Sequence, residues 1–184
     1  QTIPDDFGPF VIMDIGGGSV EFVIGTKTEL IWLQSLKLGV SRLKGQIQPN
    51  DPISEEQITA LKELIKEQTQ EVVSHLKENN ITKLVGSSGS FDSIEKMLGV
   101  RPDSADDNPG DLFELDADRL KKLHTKLLSS TLAERLGIKE LIPMRADMIV
   151  MALILINEIV ELASIERIYH SEYALKEGAF YNLL

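Results

Sequence analysis

Residues 10–24 read FVIMDIGGGSVEFVI, an apolar run, three glycines with a serine, and a second apolar run. Phe10 to Ile15 is β-branched and apolar enough for a short buried strand. Gly16, Gly17 and Gly18 then make a tight turn, and Val20 to Ile24 reads as a second strand leaving it. Asp14 stands at the end of the first strand, where burial of a carboxylate is expensive unless something charged or hydrogen-bonding answers it. The glycines permit dihedrals closed to other residues and let an oxyanion approach backbone N–H groups with no Cβ in the way. Ser19 adds a hydroxyl. Glu21 follows Asp14 by seven positions, so a hairpin folding back at the glycines turns both carboxylates toward one pocket, a pair suited to hydrated magnesium. The competing reading is a plain glycine turn whose amides satisfy Asp14. No Lys-Ser/Thr follows, which excludes a P-loop, and a strand follows where a dinucleotide fingerprint needs a helix.

Outward from this motif, Leu30 to Leu38 reads as a third strand, giving consecutive antiparallel hairpins. Ser54 with Gln57 forms a capping-box signal, and apolar residues at helical spacing predict one long helix from Glu55 to Lys77, ended by Asn79–Asn80. Ile81 to Val85 reads as a strand and Phe91 to Leu98 as a helix. Between them lies GSSGS, Gly86 to Ser90, a second glycine-hydroxyl loop at a helix N-terminus, where anions are favoured. Gly86, Ser87, Ser88, Gly89 and Ser90 are therefore candidate phosphate contacts, against the alternative of ordinary capping by Ser90. Arg42, in LKLGVSRL, follows a glycine turn and is a candidate bidentate clamp, or a surface ion pair.

Residues 101–118 hold seven acids and one base, with turn-forming Pro102, Pro109 and Gly110; the reading is a solvated acidic excursion, not a calcium loop. Helices are expected over Asp118–Leu128, around Leu132–Leu136, over Arg145–Leu162 as a buried core helix, and over Tyr173–Leu184. Ile165–Tyr169 is a short strand. Arg145 reads as an ion pair anchoring its helix. The alternation implies one α/β domain, a mixed sheet flanked by helices.

Composition narrows the function. The 184 residues carry 29 acidic and 19 basic side chains, a net charge of −10. Such a chain is a poor partner for nucleic acid or an anionic membrane. With no cysteine there are no disulfides or thiolate metal sites, and His75, His124 and His170 are too scattered for a zinc cluster. The apolar run Met148–Ile156 is too short to span a bilayer. No targeting segment is visible, and the missing initiator methionine suggests a chain processed or cut from something longer.

These pieces together resemble the exopolyphosphatase / guanosine pentaphosphate phosphohydrolase (Ppx/GppA) family. VIMDIGGGSVEFVIG, LKLGVSRL, LVGSSGSFDSI, MRADMIVMALILINEI and SEYALKEGAFYNLL match its motifs in order, over nearly the whole chain. The resemblance implies a ribonuclease-H-like domain of the actin-like ATPase superfamily, with about five strands, the second half of an actin-like core. It implies hydrolysis of the terminal phosphoanhydride of inorganic polyphosphate, and of guanosine pentaphosphate in some members. Asp14 and Glu21 would hold Mg2+ or position water. Gly16, Gly17, Gly18 and Ser19 would cradle the terminal phosphoryl. Gly86, Ser87, Ser88 and Gly89 would contact it from the other side, with Arg42 in support. Val20 replaces the family's usual threonine. The family's other aspartate-glycine motif and its general-base glutamate lie in a preceding domain, so this chain is expected to be inactive, or nearly so, alone. Expected partners are that domain and a second copy in a homodimer; the expected location is the cytoplasm. The alternatives are a nucleotide-binding actin-like or sugar-kinase-like domain, or a regulatory relative that binds phosphate without turnover.

Overall fold

The computed structural model describes residues 3–100 and 112–172. The expected helix at 173–184 and most of the acidic excursion lie outside them.

Alternation in FVIMDI sends Val11, Met13 and Ile15 into the main core, while Ile12 packs against a small second cluster on the opposite face. This strand, β1 (Phe10–Ile15), pairs antiparallel with β2 (Val20–Gly25), which pairs antiparallel with β3 (Leu30–Leu36). On its other side β1 runs parallel to β4 (Lys83–Ser87). β4 runs parallel to β6 (Arg167–His170), and β5 (Phe113–Leu115) pairs antiparallel with β6 at the edge. The six-stranded order β3-β2-β1-β4-β6-β5 matches the mixed α/β architecture expected, with one strand more. β5 was hidden because it lies within the segment read as solvated.

Helix α1 (Val40–Ile47) was not foreseen, although Val40, Leu43 and Ile47 carry helical spacing. The expected long helix is two, α2 (Glu55–Gln68) and α3 (Gln70–Glu78). The break falls at Thr69, fully buried, whose hydroxyl donates to the Ile65 carbonyl (2.8 Å) and whose backbone leaves helical values (φ −106°, ψ 11°). The Ser54–Gln57 capping box is present. α4 (Ser88–Leu98) follows β4 directly. α5 (Ala117–Leu128) is capped by Asp116 and α6 (Leu132–Leu136) by a Thr131–Glu134 capping box. The expected helix over Arg145–Leu162 is also two, α7 (Pro143–Ala146) and α8 (Ile149–Ala163). Asp147, at the break, pairs with Lys44 of α1.

α8 is apolar nearly all round and packs against α1, α2, α3, α5 and α7, as a core helix should. Among the described residues no helix is long and apolar enough to cross a membrane.

Candidate functional site: a cleft at the ends of β1 and β4

Parallel strands β1 and β4 end side by side, and the chain leaves them through the two glycine motifs. In open α/β sheets ligands bind beyond such strand ends. Here a cleft of about 430 Å³ is lined by Gly16 and Gly17 of the first motif and Ser88, Gly89 and Ser90 of the second. Ser41, Arg145 and Met148 also face it. The two loops singled out in the sequence thus meet, and a hydrogen bond joins them: Ser88 Oγ donates to Asp14 Oδ1.

The glycine turn is built differently from the expectation. None of Gly16, Gly17 and Gly18 has a left-handed φ, so dihedral freedom is not what selects them. Close approach accounts for Gly16 and Gly17, where a Cβ would stand 3.2 Å from Ser19 O and Ser41 Oγ. The Gly16 amide closes the turn on the Ser19 carbonyl (2.9 Å), and α1 docks its first turn against it. Val40 N–H donates to Gly16 O (3.1 Å) and Ser41 N–H to Gly17 O (2.9 Å). That contact requires Gly39, whose Cβ would stand 2.4 Å from Gly17 and Ser19 backbone atoms. Among the described residues, the amides of Gly17, Gly18 and Ser19 donate to no backbone carbonyl. Around Gly18 nothing lies within 4 Å of a would-be Cβ.

The second motif is not a loop ahead of a helix at Phe91. β4 runs through Gly86 and Ser87, and α4 begins at Ser88, whose φ of 67° turns strand into helix. The N-cap is Ser87, not Ser90, and it makes no side-chain cap bond. Ser87 is fully buried and its Oγ has no partner among the described residues. Gly86 and Gly89 are fixed by packing: a Cβ would stand 2.1 Å from the Phe91 ring at Gly86, and 1.9 Å from the Arg145 guanidinium at Gly89.

Asp14 and Glu21 are direct cross-strand partners in the β1–β2 ladder, so both project from one face. Ser35, opposite on β3, donates to Glu21 Oε1 (2.7 Å). Both side chains offer hard oxygen donors, and magnesium is commonly bound by one or two carboxylates completed by phosphate and water; the pair fits that ion. No group of three or more possible metal ligands occurs among the described residues.

Asp14, Gly18, Ser19, Glu21, Arg42, Gly86 and Ser87 do not line the cleft; Asp14 meets it only through Ser88. Arg42 Nε donates to Gly18 O (2.9 Å), bracing the turn from outside. Sequence reasoning missed Ser41 and the place of Arg145. Arg145 does make the ion pair expected of it, Nη1 to Asp92 Oδ2 (3.4 Å), and Nη1 donates to the Gly89 carbonyl, yet the same side chain borders the cleft. No local sequence signal marked it, because its nearness to the glycine motifs arises only when α7 docks against Gly89. Asp92 is held below the usual carboxylate range, first by its hydrogen bond to His170 and further by Arg145, against the opposing effect of burial.

Sheet order and cleft define the class: a ribonuclease-H-like, actin-like domain with two glycine-rich strand ends facing one pocket. Residues 2–184 match the model of the Ppx/GppA phosphatase family, and the chain belongs to that family. It is 34% identical to an exopolyphosphatase from Cytophaga hutchinsonii, with a TM-score of 0.90 over 100% of this chain and 59% of that one. An Aquifex aeolicus PPX-GPPA enzyme superposes with a TM-score of 0.81 at 22% identity, covering 95% of this chain and 57% of the other, a likeness of fold. Exopolyphosphatase 1 of Mycobacterium leprae is 27% identical over 172 residues, 93% of this chain and 50% of the relative. The chain spans about half the length of the curated relatives it matches.

Proposed function

We propose that this chain is the half-site of a phosphoanhydride hydrolase that releases terminal phosphate from inorganic polyphosphate. The observation that carries the reading is the convergence of the Gly16–Gly17 turn and the α4 N-terminus on one cleft, tied by Asp14 and Ser88. The cleft offers a phosphoryl group the open amide of Gly17, the first amides of α4 with their favourable dipole, and the Arg145 guanidinium. Ser88 donates its hydrogen bond to Asp14 and so fixes the carboxylate; Ser90, on the cleft wall, is the hydroxyl placed to donate. Asp14 and Glu21 would hold Mg2+, which when bound neutralises charge on phosphate oxygens. Arg42 supports the turn through its Nε contact with Gly18 O.

Water attack in line with the departing phosphate needs a base, and no side chain of this cleft is assigned that role. The resemblance puts it on a glutamate of a preceding domain, so turnover depends on that domain. Guanosine pentaphosphate is the second substrate considered, since the same anhydride chemistry serves both. The test is phosphate release from polyphosphate with magnesium, by this chain alone and joined to its natural preceding domain. The joined protein hydrolyses polyphosphate and the single chain does not. A joined protein that neither binds nor cleaves polyphosphate or guanosine pentaphosphate refutes the assignment; rapid turnover by the chain alone refutes the division of the site.

A further inference from the structure

Behind the cleft wall lies a run of charged side chains that no phosphate contact requires. Asp92 and Glu95 stand one turn apart on α4 and face the end of β6. His170 fills the space between them and is 1% exposed. Its Nε2 lies 3.1 Å from Asp92 Oδ1, and its Nδ1 lies 3.2 Å from Glu95 Oε2, a contact off the ideal hydrogen-bond direction. Glu95 is itself buried. The other Asp92 oxygen faces Arg145 Nη1 at 3.4 Å. The order from inside outward is Glu95, His170, Asp92, Arg145, cleft.

Burying a histidine between two carboxylates is costly, and apolar residues of like volume would fill the same space at less expense. The arrangement therefore calls for a reason beyond packing. Arg145 supplies it. It projects from a helix of only four residues, and an unheld arginine samples many rotamers. Nη1 takes up the inner contacts, donating to Gly89 O and lying 3.4 Å from both Asp92 Oδ2 and Ser93 Oγ. A carboxylate beside an anion-binding arginine would ordinarily draw it away from the anion. Here His170 occupies one Asp92 oxygen, leaving only the other to meet the guanidinium.

We propose that His170 and Asp92 are positioning residues that hold Arg145 by its inner edge and so present it to a phosphoryl group in the cleft. This rests on the phosphate reading of the cleft. The lowered titration of Asp92 agrees, since it keeps the acceptor ionised.

Two readouts test it. In the chain without ligand, the Nε–H signal of Arg145 is followed by NMR; it is sharp in the wild type and broadened or shifted in both His170→Gln and Asp92→Asn. Asp92 is 36% exposed at its side chain, so its isosteric variant folds even where replacement of buried His170 does not. Second, short-chain polyphosphate with magnesium is titrated calorimetrically into each variant joined to its natural preceding domain, with Arg145 intact and with Arg145→Lys. Each variant binds about fivefold to tenfold more weakly when Arg145 is present, the loss of one charge-assisted contact. With lysine at 145 each changes affinity less than about twofold, because the effect runs through the guanidinium. Equal losses in both backgrounds overturn the proposal, as does unchanged or tighter binding by Asp92→Asn. A wild-type protein joined to its natural preceding domain that binds no polyphosphate refutes the phosphate reading instead, and the Arg145 signal then judges the clamp alone: unchanged in both variants, it overturns it.

Discussion

Gly39→Ala should dismantle the first glycine turn by forcing α1 away from the Gly17 and Ser19 backbone. The added Cβ would stand 2.4 Å from the Gly17 carbonyl and the Ser19 nitrogen, where ordinary contact begins at 3.4 Å. These are backbone atoms and cannot swing aside, so α1 and the turn must separate by about 1 Å. That separation stretches Val40 N–H to Gly16 O and Ser41 N–H to Gly17 O, at 3.1 and 2.9 Å, beyond hydrogen-bonding range. Two such bonds contribute about 1 kcal/mol each, and overpacking costs a further 1–3 kcal/mol, roughly. The expected loss is about 3–5 kcal/mol, a large part of a domain's ordinary stability of about 5–15 kcal/mol. Urea unfolding followed by circular dichroism reads it as a lower midpoint at unchanged slope. Gly18→Ala is the control: nothing lies within 4 Å of its Cβ and its φ is not left-handed, so it is neutral or slightly stabilising, by up to about 1 kcal/mol. A Gly39→Ala loss under about 1 kcal/mol would refute the claim that close approach, and not dihedral freedom, fixes the turn.

Ser87→Ala removes a buried hydroxyl with no partner among the described residues; its thermal midpoint is unchanged or higher, and a loss above about 1 kcal/mol would show that the hydroxyl is hydrogen-bonded in the fold. Arg135→Met cuts a buried guanidinium from Ala146 O (2.8 Å), Ser130 O and Asp51 (3.1 Å), separating α6 from the α7–α8 junction. Because Asp51 is 45% exposed, the cost is at the low end for such pairs, about 3 kcal/mol by denaturation. His124 titrates below its ordinary value of 6.5, chiefly because burial disfavours its charge and secondarily because of Lys62. The unfolded chain then binds more protons, so stability falls as pH drops through 6.5 toward the lower folded value; His124→Gln flattens that slope, and an unchanged slope would place its origin elsewhere.

Local chemistry made much of this legible in advance. The FVIMDI and VEFVI strands, the Ser54–Gln57 box and the Asn79–Asn80 stop each announce themselves in a few residues. What stayed hidden depends on distant partners. α1 lies under Gly39, a residue whose importance comes from Gly17 and Ser19 twenty positions earlier. Thr69 breaks a helix because its buried hydroxyl turns back on Ile65, in a stretch whose apolar spacing runs unbroken. β5 is a strand because β6 offers it an edge, despite the acids around it. Asp14 and Glu21 were paired from spacing alone, and the ladder places them directly opposite. Arg42 and Arg145 exchange standing for a similar reason: proximity in sequence to a glycine favoured the first, and only the docking of α7 against Gly89 brings the second to the cleft.

The glycines of the two motifs and of the α1 start divide into two kinds. Gly39, Gly86 and Gly89 are crowded by the protein itself: backbone, the buried Phe91 ring and the Arg145 guanidinium occupy the space of a side chain. Gly18 is crowded by nothing. Gly45 of α1 shares that open surrounding, so freedom from crowding does not by itself mark a ligand contact, and Gly18 lies outside the cleft lining. Val20 is fully buried beneath the turn and packs into the main core. A net charge of −10 is then compatible with an anionic ligand. On the proposed reading the attraction would come from short-range donors on a neutral backbone, from the α4 dipole and from Arg145, and such contacts act over a few ångströms, well inside the distance at which salt screens the charges elsewhere on the surface.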